Sequence, residues 1–72
     1  MRQHEDLPSG LRIIDAAERR KLVPYSDVHT YRLEQQGLFP KRVKIGQHRV
    51  GWVEAEVLKW IEARMAEREA QS

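Results

Sequence analysis

A winged helix-turn-helix, mainly α with one small β-hairpin, is the fold class that this 72-residue sequence predicts. Three observations predict it. Two short helical stretches flank Pro24, the apolar period falls to two from Lys41 onward around Gly46, and a final stretch from Glu54 carries an apolar stripe at helical spacing. The predicted order is helix, turn, helix, hairpin wing, helix. A chain of this length forms one domain and buries only about 60% of its unfolded surface, which argues against a large catalytic cleft.

Met1 to Gly10 has no periodicity and includes Pro8-Ser9-Gly10, so residues 1–10 are expected to form a flexible arm, 11–69 the folded domain and 70–72 a frayed tail. Leu11, Ile13, Ile14 and Ala17 are apolar, and Asp15 is placed to cap a helix from Ala16 to Lys21 or Leu22. Pro24 ends it, because its ring donates no N–H and disfavours helical geometry at Val23. After the turn Val23-Pro24-Tyr25, Ser26 caps a second helix predicted over Asp27 to Gln36. Val28 and Leu33, with part of Tyr31 and the stem of Arg32, are expected to supply its packing, leaving His29, Thr30, Gln35 and Gln36 polar. Gly37 suits the left-handed position after a helix, and Phe39-Pro40 turns the chain extended.

From Lys41, Arg42 and Lys44 alternate with Val43 and Ile45, the pattern of a strand with one basic face. Gly46-Gln47 has the form of a two-residue type II′ turn, which sets Lys44 opposite Arg49 and Val43 opposite Val50. That register predicts an inner face of Val43, Ile45, Val50 and Trp52 and an outer face of Arg42, Lys44 and Arg49. From Glu54 to about Glu69, Val57, Trp60, Ile61 and Met65 form one helical stripe. Glu54 and Glu56 near its start and Arg64 and Arg68 near its end complement the helix dipole.

Charge is segregated along the chain. Residues 1–18 and 53–72 each sum to −2, whereas residues 19–52 sum to +6 within a net charge of +2. A basic block between acidic segments suits a polyanion, since neutralising phosphates releases counterions; the plainer reading is a solvated positive surface. There is no cysteine, and His4, His29 and His48 stand far apart without carboxylates at ligand spacing, so neither metal nor disulfide is expected. Nothing resembles a phosphate-binding glycine loop, a nucleophile elbow or paired catalytic carboxylates, so no enzyme activity, cofactor or small-molecule substrate is expected. The polar start and short apolar runs predict neither signal peptide nor membrane span, hence a cytoplasmic protein. Trp52, Trp60, Phe39 and Tyr31 can be read as base-stacking aromatics, but their spacing, with Trp60 on the helical apolar stripe and Trp52 on the predicted inner strand face, favours core packing.

The run Tyr25-Ser26-Asp27-Val28-His29-Thr30-Tyr31-Arg32-Leu33, the stretch Gly37-Leu38-Phe39-Pro40-Lys41-Arg42-Val43-Lys44-Ile45-Gly46, and Val50-Gly51-Trp52 leading into Glu54 to Ile61 resemble the AlpA family of prophage regulators. The resemblance covers residues 11 to 65. It implies a MerR-like winged-helix domain, related in fold to phage excisionases, that binds double-stranded DNA on behalf of a prophage or mobile element. The sequence departs from the family's usual glycine at Pro24, from a small hydroxyl residue at His29, and from a basic or polar residue at Asp27.

On that reading, base contacts are expected from the leading end and exposed positions of the second helix, at Asp27, His29, Thr30 and Arg32. For Asp27 two roles stay open, a carboxylate held away from phosphates or one accepting from cytosine N4. The resemblance implies a buried apolar residue at the position of Thr30, which weighs against that one. Backbone contacts are expected from Ser26, Arg19, Arg20, Lys21, Lys41, Arg42, Lys44, His48 and Arg49. Partners expected beside DNA are further copies of the chain and an integrase or RNA polymerase. Two other functions fit the same residues: an excision factor that bends attachment-site DNA, and an interaction module whose basic face meets an acidic protein.

Overall fold

The computed structural model describes residues 11–71. The predicted arm over 1–10 lies outside them, as does Ser72. The elements are β1 (Ile13–Ile14), α1 (Ala16–Leu22), α2 (Asp27–Gln35), β2 (Val43–Gly46), β3 (Arg49–Val53) and α3 (Glu54–Gln71), a winged helix-turn-helix.

The helix boundaries follow from local chemistry. Asp15 accepts a hydrogen bond from the Glu18 amide at 2.9 Å and starts α1, which stops at Val23 before Pro24. Ser26 Oγ accepts from the His29 amide at 3.0 Å and starts α2. Gly37, at φ 75°, takes the left-handed position after α2 that Cβ-bearing residues avoid. α3 runs two residues past the predicted Glu69 to Gln71.

The sheet differs from the prediction in two respects. Ile13 and Ile14, read as apolar residues ahead of a helix, form a third strand, giving the order β1-β3-β2 with both pairs antiparallel. Two residues are too short for alternation to register, and their pairing with Val53 and Trp52 links segments some 40 residues apart. The hairpin is also slipped by one residue: Val43 faces Gly51, Lys44 faces Val50 and Gly46 faces Arg49, with an irregularity between Lys44 and Gly46. The corner is Gln47-His48, and neither they nor Gly46 has positive φ, so the type II′ turn is not formed. A bulge at Ile45 accommodates the chain where a primed turn would have matched the strand twist.

This register exchanges the expected faces of β2. Arg42 and Lys44 point to the side of Trp52 and Val50, while Ile45 joins Ile13 over Gly51 on the other side. Val43 and Ile45 are consequently half exposed rather than buried. The core consists of Ile14, Val23, Phe39, Trp52 and Val57, with Ala16, Tyr25, Leu33, Val50, Trp60 and Ile61 packed against it. Trp60 joins α3 to the loop after α2, donating from Nε1 to the Leu38 carbonyl at 2.7 Å and meeting the Phe39 ring edge-on at 4.9 Å. The stripe on α3 fades toward its end, where Met65 is 48% exposed. Among the described residues no helix is long and apolar enough to cross a membrane.

Candidate nucleic-acid interface

The turn between α1 and α2 is held by an arginine. Arg19 is wholly buried, and its guanidinium donates to the carbonyls of Val23 at 3.0 Å and Tyr25 at 2.8 Å and to Asp27 Oδ1 at 2.6 Å. Pro24 supplies no donor here, and the planar fork of an arginine can reach three acceptors at once. Burial lowers the Arg19 pKa from its ordinary value, against the raising effect of Asp27. Its Nε is the one buried side-chain polar atom without a hydrogen-bond partner among the described residues, and the guanidinium carbon lies 5.3 Å from the centroid of the Trp52 ring. Arg20 also donates to Asp27 Oδ1, at 3.0 Å. Both oxygens of Asp27 therefore face cations of α1.

A second polar cluster joins α2 to the wing. Glu34 is buried and accepts from Arg42 Nε at 2.9 Å, Arg42 Nη2 at 3.2 Å and Trp52 Nε1 at 3.1 Å. The Arg42 guanidinium carbon also sits 5.1 Å from the Trp52 ring and 5.2 Å from that of Tyr31. Sequence reasoning counted Glu34 only as a charge. Its signal was faint: one of two acids in a basic segment, one turn from Thr30. Arg42, expected on the outer face of the wing, stands on the inner one, since a buried carboxylate draws its side chain inward. Fastening β2 to α2 in this way fixes where the wing stands beside the helix.

The two clusters turn α2 about its axis relative to the prediction. At 100° per residue, Thr30, Leu33 and Glu34 share the inner side, and the outer side is Val28, Arg32 and Gln35, with Tyr31 toward the wing. Thr30 is fully buried, its hydroxyl donating to the Ser26 carbonyl at 2.9 Å. Val28 and Tyr31, expected to supply packing, are instead 61% and 50% exposed. An apolar residue is read as core by default, and only the burial of Thr30 and Glu34 reveals the rotation. His29 is exposed and meets the Tyr25 ring edge-on at 4.6 Å.

Of the expected site residues, Arg32, His29 and Asp27 are exposed on α2 and Ser26 at its N-cap, and Lys41, Lys44, His48 and Arg49 are exposed on or beside the wing. The three wing cations expected on one face are divided. Arg42 and Lys44 share the Trp52 face, whereas Arg49 packs over Gly46 on the other. Lys21 and Arg20 are exposed near the end of α1. Arg19 and Thr30 are enclosed and present no side chain outward.

A search among curated proteins finds no match. The family described as Prophage CP4-57 regulatory protein (AlpA) matches residues 12–65, that is 54 of the 72 residues. With caps, turn, wing and the first twelve residues of the closing helix inside that span, the chain belongs to the AlpA family of prophage regulatory proteins.

Proposed function

We propose that the domain binds double-stranded DNA sequence-specifically as a phage-type transcriptional regulator, with α2 in a major groove and the wing on the adjoining backbone. The observation that carries this reading is the outward side of α2, exposed from Val28 to Gln35 beside a hairpin bearing Lys41, Lys44 and Arg49. Arg32 is the base reader, with a fork suited to guanine O6 and N7, and His29 lies close enough in sequence to assist. Asp27 and Thr30 leave the set of base contacts because one is held by two arginines and the other is enclosed. Lys21, Lys41, Lys44 and Arg49 serve phosphates, with His48 at the wing tip and Ser26 at the helix start; Arg19 and Arg42 act inside the domain, and Arg20 is shared with Asp27.

Titration with duplex DNA at ~50 mM salt, followed by a fourfold rise, tests the reading. Four phosphate contacts give a slope of about −3.6 in log affinity against log salt. Lys44→Ala should weaken binding to all sequences alike and reduce that slope by about one, whereas Arg32→Ala should relax preference at one base pair. No binding at low salt would assign the basic face to an acidic protein partner instead. Footprints on one palindromic site fit a dimeric regulator; direct repeats bent by the protein would make it an excision factor.

A further inference from the structure

We propose that Val28 reads the C5-methyl group of a thymine close to the guanine read by Arg32, so that these two side chains together set the sequence preference. The inference rests on α2 being the recognition helix. Among the described residues Val28 has the highest exposure of the large hydrophobic residues, 61%, and takes no part in the core. It is β-branched, so it lowers helix propensity where it stands, and neither packing nor helix formation accounts for it. It lies in the first turn of α2, two residues after the Ser26 cap, at the end that leads into a groove.

Its neighbours at that end are committed elsewhere. Asp27 is paired with Arg19 and Arg20, Thr30 is buried, Tyr31 lies against Arg42, and His29 is turned to one side against Tyr25, where it can assist but does not lead. Val28 and Arg32, one helical turn apart, are left pointing straight out. Thymine is the base that offers an apolar group in the major groove, and guanine offers the paired acceptors that an arginine fork fits. Four residues of helix rise about 6 Å, and base pairs stack about 3.4 Å apart, so the thymine falls within about two base pairs of the guanine.

The test removes one methyl group from the DNA and leaves the protein untouched. A site is selected from random duplexes, the guanine is identified as the position whose preference Arg32→Ala loses, and each nearby thymine is replaced singly by deoxyuridine. One replacement within about two base pairs should weaken the wild-type domain about fourfold, the effect of one buried methyl. Val28→Ala should bind the thymine and deoxyuridine duplexes equally, and at the same position 5-methylcytosine should bind the wild-type domain better than cytosine does. Equal deoxyuridine penalties for wild type and Val28→Ala, or no penalty at any thymine near the guanine, would overturn the assignment while leaving duplex recognition intact. Failure to bind any duplex would instead remove both readings together.

Discussion

Replacing Glu34 by glutamine tests whether the join between α2 and the wing is as stiff as its geometry implies. The substitution keeps the shape but puts an NH₂ group among donors, where the carboxylate accepts from Arg42 Nε, Arg42 Nη2 and Trp52 Nε1. At least one of those bonds is lost and another donor faces a donor. Removing one partner of a buried pair costs about 3–5 kcal/mol, and leaving a buried N–H unpaired costs about 1–3 kcal/mol. Because the Arg42 side chain is 27% exposed and can recover water, the loss falls below that of a fully buried pair, at about 2–3 kcal/mol. For a domain of this size each kcal/mol moves Tm by about 4–8 °C, so a fall of at least about 8 °C is expected in thermal unfolding followed by circular dichroism. A cycle with Arg42→Gln should give a coupling above about 1 kcal/mol. A Tm change under about 3 °C, or additive single and double variants, would refute the account of Glu34 as the buried acceptor that fixes the wing.

Four further outcomes follow from other contacts. Gly51→Ala places a Cβ 2.5 Å from Ile13 Cγ2 and 2.9 Å from the Ile14 carbonyl oxygen, so β1 must shift; a loss on the order of 2 kcal/mol is expected in urea unfolding. At Gly37 no atom lies within 4 Å of an added Cβ, so alanine pays only the left-handed backbone penalty of about 1 kcal/mol, and asparagine should cost less in the same assay. Ser26→Ala removes the acceptor of the His29 amide and should cost about 1 kcal/mol, with Ser26→Asp retaining most of the stability. Arg19→Met removes the donor of the Tyr25 carbonyl, leaves the Val23 carbonyl with only the Tyr25 amide and Asp27 with only Arg20, a loss on the order of 2 kcal/mol, with faster amide exchange around the turn than elsewhere.

The accuracy of the sequence reading divides according to how far a feature's cause lies along the chain. Asp15, Ser26, Pro24 and Gly37 act within four residues of themselves, through capping bonds, a missing donor or a left-handed backbone, and the helix ends they predict are found within one residue for α1 and α2. Alternation in β2 was equally visible, but a period of two defines two faces without stating which is inward. The usual rule turns the apolar face in. Here Glu34, eight residues before Arg42, and Trp52, ten after it, make a polar receptacle that draws the arginine inward.

The candidate site was legible in its location and not in its membership. Segregated charge and the capped second helix mark residues 19–52 as the place to look. Which of those side chains are available depends on partners that the linear pattern does not pair: Asp27 with Arg19, Arg42 with Glu34, and the Ser26 carbonyl with Thr30. Two cations and a threonine turn inward, and a valine and a tyrosine turn out.

By itself, then, the sequence determined the order of elements, their caps and the basic middle of the chain, because those depend on nearest neighbours and on composition. The hairpin register, the third strand and the outward face of α2 were decided only in three dimensions. There, satisfying a few buried polar groups outweighs the preference of individual apolar residues for the interior.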